Sequence, residues 1–227
     1  VFKLPGLYRV GLTVGFPFLL PFLLPAVTAF LCLAEMCQHL CRHGEGLVRP
    51  CQIFADQNNF LSPQRHRDAS GVEHEWDGEH SGEAWQQGPV ILAWPGVLAS
   101  GNWEGYNLVI HELAHKLDML NGDANGLPPL HGDMRVQEWA SVMQGAYDDL
   151  NRQLDHNPDA ETAIDPYAAE NPAEFFAVTS EYFFSAPDLL TESYPQVYEQ
   201  LSHFYRQDPL ARLKHLQASD PRYQTEG

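Results

Sequence analysis

A chain of 227 residues is long enough to bury a core of its own, in one or two domains. Its 30 acidic residues outnumber 13 basic ones, and the formal net charge of −17 at pH 7 argues against the basic surface that nucleic-acid binding requires. Only Glu35 and Glu45 of the acidic residues fall within residues 1–50, beside Lys3, Arg9, Arg42 and Arg49, so the acid belongs to the rest of the chain. Solubility at neutral pH accounts for such a balance, ahead of any preference for neutral or basic peptides.

The chain opens apolar. Val10–Ala34 holds no charge and is rich in Leu and Phe. Its length and polarity suit a membrane span or a signal-peptide core, and Lys3 and Arg9 precede it. Against this, Pro17, Pro21 and Pro25 recur every four residues, and each breaks a helix. The first residue is Val1 rather than Met, as in a fragment. We read residues 1–57 as a divergent or out-of-frame apolar segment, with a membrane expected only if residues 10–34 are a genuine anchor. Cys32, Cys37, Cys41 and Cys51 all lie here, and their spacing is not that of paired C-x-x-C knuckles, even with His39 and His43 nearby. The remainder has no cysteine, so it forms no disulfide, which fits a reducing cytoplasm.

Residues 58–82 are polar, with Asn58-Asn59, Ser62-Pro63 and Ser81-Gly82 as loop signals. Val72–Trp76 is expected as a short edge strand, and His66, His74 and His80 fall in or near it. Gly88–Trp94 reads as a buried strand, a short apolar run behind a turn. Pro95–Tyr106 is then expected as a connection bearing Gly and Trp.

The next stretch carries chemistry. His111-Glu112-Leu113-Ala114-His115 is an H-E-x-x-H pattern. On a helix, positions i and i+4 stand one above the other on one face, so both imidazoles reach one metal ion. Zinc suits neutral imidazole, and Glu112 stands where a carboxylate can take a proton from water polarised at that ion. Leu108, Val109, Leu113 and Leu117 give the helix an apolar side, and Asn121-Gly122 is its stop signal. By itself the pattern also fits a helix with a surface His-Glu cluster. Asp118, about one turn after His115, is expected to accept the outer N–H of a metal-bound imidazole; an ion pair with Lys116 or an arginine is the alternative.

A third ligand is expected downstream. Asp165–Phe184 reads as a second helix, with Asn171 as N-cap and Pro172 as its first residue. Glu174 then lies in the first turn, and Phe175, Val178 and Tyr182 face the core. A carboxylate from one helix and two histidines from another leave a fourth position for water, as catalytic zinc needs. Glu174 is preferred; Glu181, two turns on, is its rival. Between the two helices, Asn121–Asp133 is a loop whose calcium-loop pattern is incomplete, and Met134–Leu154 is helical by its apolar spacing. Leu189–Leu216 is expected as one or two closing helices split around Asp208-Pro209, followed by a polar tail at 217–227.

Six motifs in this order resemble the Mlc titration factor A family, bacterial zinc metallopeptidases of the gluzincin type. They are W-Q-Q-G-P at Trp85–Pro89, H-E-L-A-H-K-L-D at His111–Asp118, N-G-D at Asn121–Asp123, Y-A-A-x-x-P-A-E at Tyr167–Glu174, S-E-Y-F-F-S-A-P at Ser180–Pro187 and F-Y-x-Q-D-P-L-x-R-L at Phe204–Leu213. They cover about residues 58–216, and residues 1–57 do not match.

The resemblance implies an α+β fold: a mainly helical zincin-like metallopeptidase domain with a small sheet beside the HExxH helix. It implies one Zn2+ per chain, held by His111, His115 and Glu174, with Glu112 as general base. It implies Tyr167 as a donor to the oxyanion; an aromatic packed at the helix entry is the other reading. It suggests that the strand at Gly88–Trp94 or its neighbour pairs with the substrate backbone; a plain core strand is the alternative. His74 stands at the spacing where the family has a histidine that reaches the zinc, so it is expected as a resting-state fourth ligand that swings away for turnover. A surface histidine is its alternative. The expected activity is that of a cytoplasmic aminopeptidase on peptide substrates. The expected partner is the glucose repressor Mlc, whose titration modulates sugar-uptake genes, with no direct contact to nucleic acid. A non-catalytic repressor-binding module with a vestigial zinc site is the alternative function.

Overall fold

The computed structural model describes residues 53–56, 60–67, 73–80, 82–85, 90–100 and 104–219, without the side chains of 53–80, Leu216, Gln217 and Ser219. The apolar stretch at 10–34, the four cysteines and the end of the polar tail lie outside the described residues. The chain divides into two units, residues 1–101 with 107–116, and residues 102–106 with 117–227.

The first unit holds two small sheets. In one, β1 (Ile53–Asp56), β5 (Val90–Ala93) and β4 (Gly82–Ala84) stand in the order β1-β5-β4. Strand β1 runs parallel to β5 from Ile53↔Val90 to Asp56↔Ala93, and β4 runs antiparallel from Gly82↔Leu92 to Ala84↔Val90. The apolar run expected as a buried strand is the middle strand, with Val90, Leu92 and Ala93 buried. In the other sheet, β2 (Phe60–Arg67) and β3 (Glu73–His80) pair antiparallel from Phe60↔His80 to Arg67↔Glu73. The sequence of this stretch reads as loops with one short strand, and the structure pairs two strands of eight residues. The ribbon is held by backbone pairing and carries little apolar alternation, so its sequence has a weak strand signal. Pro63 is admissible because both strands of a two-stranded ribbon are edges.

Helix α1 (Trp94–Ala99) occupies part of what was expected as a connection, with Pro95 in its first turn, where a missing N–H does no harm. Ser100 then joins two helices. Its hydroxyl donates to Gly96 O at 2.7 Å and accepts from Leu108 N at 3.0 Å, at the start of α2 (Leu108–Asp118).

The second unit is helical. It holds α3 (Val136–His156), α4 (Pro172–Ser185), α5 (Pro187–Ser193), α6 (Pro195–Tyr205) and α7 (Pro209–Ser219), with 3-10 turns at Met119–Asn121 and Pro166–Ala169. Helices α4 to α7 each open on a proline, whose fixed φ suits a first turn. That rule divides the closing region at Pro195 as well as at Pro209, so Pro187–Ser219 forms three helices rather than one or two.

Helix α4 is buried almost all round, and from Phe175 to Ser185 only Tyr182 is half-exposed. A helix apolar on every side belongs at the centre of its unit. Trp139, Phe176 and Phe204 form a triangle of rings with centroids 5.5 to 5.9 Å apart, and Phe183, Phe184 and Tyr205 continue the cluster. At the α6–α7 corner, the Tyr198 hydroxyl donates to Asp208 Oδ1 at 2.7 Å and accepts from Leu210 N at 3.0 Å. Burial, with the Asp208 carboxylate beside it, pushes the Tyr198 phenol up to about 12. The Ala211 N–H and that phenol hold Asp208 below the usual carboxylate range. The Q-D-P-L motif therefore has a structural use as a helix corner.

The described residues form a mainly helical α+β fold with two small sheets. Among them, no helix is long and apolar enough to cross a membrane.

Candidate metal centre

Helix α2 starts where Asn107, itself buried, accepts Ile110 N on its side-chain oxygen at 3.2 Å. This is the cap expected of asparagine at a helix start. Leu108, Val109, Ile110, Leu113, Ala114 and Leu117 are all buried. The only half-exposed positions of α2 are His111, His115 and Lys116. Burial on the apolar sides thus leaves one open stripe, and both histidines stand on it.

Their Nε2 atoms lie 3.1 Å apart, with rings nearly perpendicular at 80°. Two imidazole nitrogens at zinc-ligand distance from one tetrahedral centre are about 3.3 Å apart, so the pair fits such an ion. Among the described residues, the group able to hold a metal is His111, His115 and Glu174, with one ligand atom of each within 4.8 Å of the others. Two imidazoles and a carboxylate are a donor set that suits zinc and leaves a fourth position open.

Glu174 stands in the first turn of α4. Asn171 caps that turn, its side-chain oxygen accepting Ala173 N at 2.9 Å and Glu174 N at 3.1 Å. Glu181 is buried further along the same helix and is not in the metal-holding group.

Glu112 is buried, 5% exposed, and faces β4. A Cβ on Gly82 would stand 2.4 Å from Glu112 Oε1, so any larger residue there must displace the carboxylate. In the sequence Gly82 reads as a loop signal, and no local pattern marks this contact. The Lys116 amine donates to the backbone carbonyl of Trp85. Asp118 is fully buried, and its Oδ2 accepts from Asn125 N and Gly126 N, each at 2.7 Å. Those two bonds serve the loop after α2, a task that sequence reasoning did not foresee.

Tyr167 lies in the 3-10 turn at Pro166–Ala169, with its N–H on Asp165 Oδ1 at 2.9 Å. The residue is 51% exposed rather than packed in the core. His74 lies in the paired strand β3, opposite His66, and its side chain is outside the described residues.

Two imidazoles converging at i and i+4, with a buried carboxylate next to the first, form the arrangement that metallopeptidases use. The comparison with protein families agrees: the family described as glucose-regulated metallo-peptidase M90 matches residues 41–206, and the chain belongs to that family. Among curated relatives, Mlc titration factor A of Yersinia pestis (strain Pestoides F) is 46% identical over 165 residues, 72% of this chain and 60% of the relative. Mlc titration factor A of Yersinia pseudotuberculosis serotype O:1b (strain IP 31758) gives the same figures. The chain thus spans 60% of the length of these relatives.

Proposed function

We propose that this chain is a zinc-dependent peptidase with a zincin-like catalytic domain, working as an aminopeptidase in the cytoplasm. The observation that carries the reading is the 3.1 Å approach of the His111 and His115 Nε2 atoms, with a Glu174 oxygen in the same group. His111, His115 and Glu174 would hold the ion, one per chain. When bound, zinc supplies a Lewis acid that polarises the carbonyl and makes water nucleophilic at neutral pH.

The other steps belong to side chains of the chain itself. Glu112 takes the proton of the attacking water and hands it to the leaving amine. Its burial supports this role, because a carboxylate shielded from bulk water holds its position for the transfer. Tyr167 donates its hydroxyl to the developing oxyanion. Its exposure supports this over a packing role. Strand β5 is enclosed by β1 and β4, so β4 is the better candidate to pair with the substrate backbone. The contact of Gly82 with Glu112 sets β4 beside the base. His74 is proposed as a resting-state ligand, on the resemblance of its spacing alone.

The relatives' name points to a second role, binding of the repressor Mlc, and we extend it to this chain as part of the same proposal. The alternative is a binding module without catalysis. Hydrolysis of a panel of aminoacyl-nitroanilides, with chelator and after zinc restoration, separates the two. Chelator-sensitive turnover restored by zinc is expected. Binding of Mlc without hydrolysis of any substrate would establish the module instead.

A further inference from the structure

The loop after α2 is held in a way the catalytic reading does not use. Asp118 is the last residue of α2, and its Oδ2 accepts two backbone N–H groups of that loop at 2.7 Å. Bonds of that length to a carboxylate are among the stronger ones a protein makes. One of the donors, Gly126, has φ +79, a conformation that favours glycine. Its carbonyl accepts the Trp139 indole N–H at 3.0 Å, and Trp139 packs on Phe176 of α4 with ring centroids 5.9 Å apart. Its α-carbon abuts the first residue of α4, where an added Cβ would lie 2.5 Å from Pro172 O. Glu174 follows two residues later, in the turn capped by Asn171.

We propose that the loop latched by Asp118 is a positioning device for the first turn of α4, and that Asp118 and Gly126 set where the Glu174 carboxylate stands. This rests on the reading of Glu174 as a metal ligand. The size of the displacement supports it. Alanine at residue 126 needs Pro172 O to retreat by about 0.9 Å to reach ordinary contact near 3.4 Å. Metal–ligand distances tolerate about 0.2 Å. A shift of the first turn several times that tolerance moves a ligand out of place while leaving the hydrophobic core of α4 intact.

The test is a double-mutant cycle on zinc affinity, measured on the full chain by competition with a chromophoric chelator. Circular dichroism and cooperative melting confirm that each variant is folded. Glu174→Ala should weaken zinc binding. Gly126→Ala should weaken it by about 10- to 100-fold, the usual effect of a residue that orients a ligand. Combined with Glu174→Ala, it should add nothing further. A folded Gly126→Ala with unchanged affinity overturns the proposal, and so does an equal loss in both backgrounds. If Glu174→Ala itself leaves affinity unchanged, the metal-site reading has failed, and the proposal falls with it. Should Gly126→Ala not fold, Asp118→Asn goes through the same cycle. It keeps the shape of the side chain and an acceptor while removing the charge. Its effect should vanish in the Glu174→Ala background; an effect that persists there places Asp118 on an imidazole instead and overturns the proposal.

Discussion

Gly82→Ala is the smallest change that reaches the proposed base. The added methyl carbon would stand 2.4 Å from Glu112 Oε1 and 2.7 Å from its Cδ. Ordinary contact begins near 3.4 Å, so the carboxylate must retreat by about 1 Å. It sits at the end of a flexible side chain, so the retreat is expected to leave the fold intact. His111 and His115 stand on a different stripe of α2 and keep their places. A misplacement of about 1 Å in a catalytic group is worth about 10²-fold in rate, or about 2.7 kcal/mol of barrier. The assay is kcat on the best aminoacyl-nitroanilide, with zinc content by atomic absorption on the same sample. A drop of about 100-fold in kcat with zinc retained is expected. A folded Gly82→Ala protein with wild-type kcat would show that the carboxylate facing β4 does no proton transfer.

Tyr167→Phe should leave zinc content and KM nearly unchanged and lower kcat by about 10²–10³-fold, the usual effect of losing one oxyanion donor; an unchanged kcat returns Tyr167 to a structural role. His74→Ala should retain zinc, because three ligands remain, and keep or raise basal hydrolysis; loss of hydrolysis with zinc still bound would make His74 a participant in catalysis. At the α6–α7 corner, the Tyr198 phenol is raised from 10.0 to about 12 in the folded chain, so its contribution to stability is whole below pH 10 and is lost as pH rises from there towards 12. The melting temperature should fall across that window, and fall less steeply in Tyr198→Phe; equal slopes would assign the alkaline loss to other groups.

The parts of the site that could be read from sequence are those that local geometry fixes. H-E-x-x-H needs only the period of a helix, and α2 supplies it, with both histidines on its one open stripe. Asn171-Pro172 announces the start of α4 by capping chemistry, and this puts Glu174 in a first turn. The hidden parts are contacts between residues far apart in the chain. Gly82 against Glu112 and Gly126 against Pro172 leave only a glycine in the sequence, and a glycine has many causes. The ribbon of β2 and β3 was hidden for another reason. Its polar residues satisfy the pairing of the backbone without the alternation that marks a half-buried strand. Trp94–Ala99 was hidden because six residues around a proline are too few to show helical periodicity.

If the chain is a metal-dependent hydrolase with Glu112 as its base, Glu112→Gln separates the base from the metal site. The substitution keeps the size and burial of the side chain and removes only its ability to take a proton. Zinc content and kcat are to be measured on one preparation, beside the wild-type chain. Zinc should be retained at the wild-type level with nearly all hydrolysis lost. Hydrolysis that survives, or zinc that falls in step with activity, would contradict the assignment of Glu112 as base.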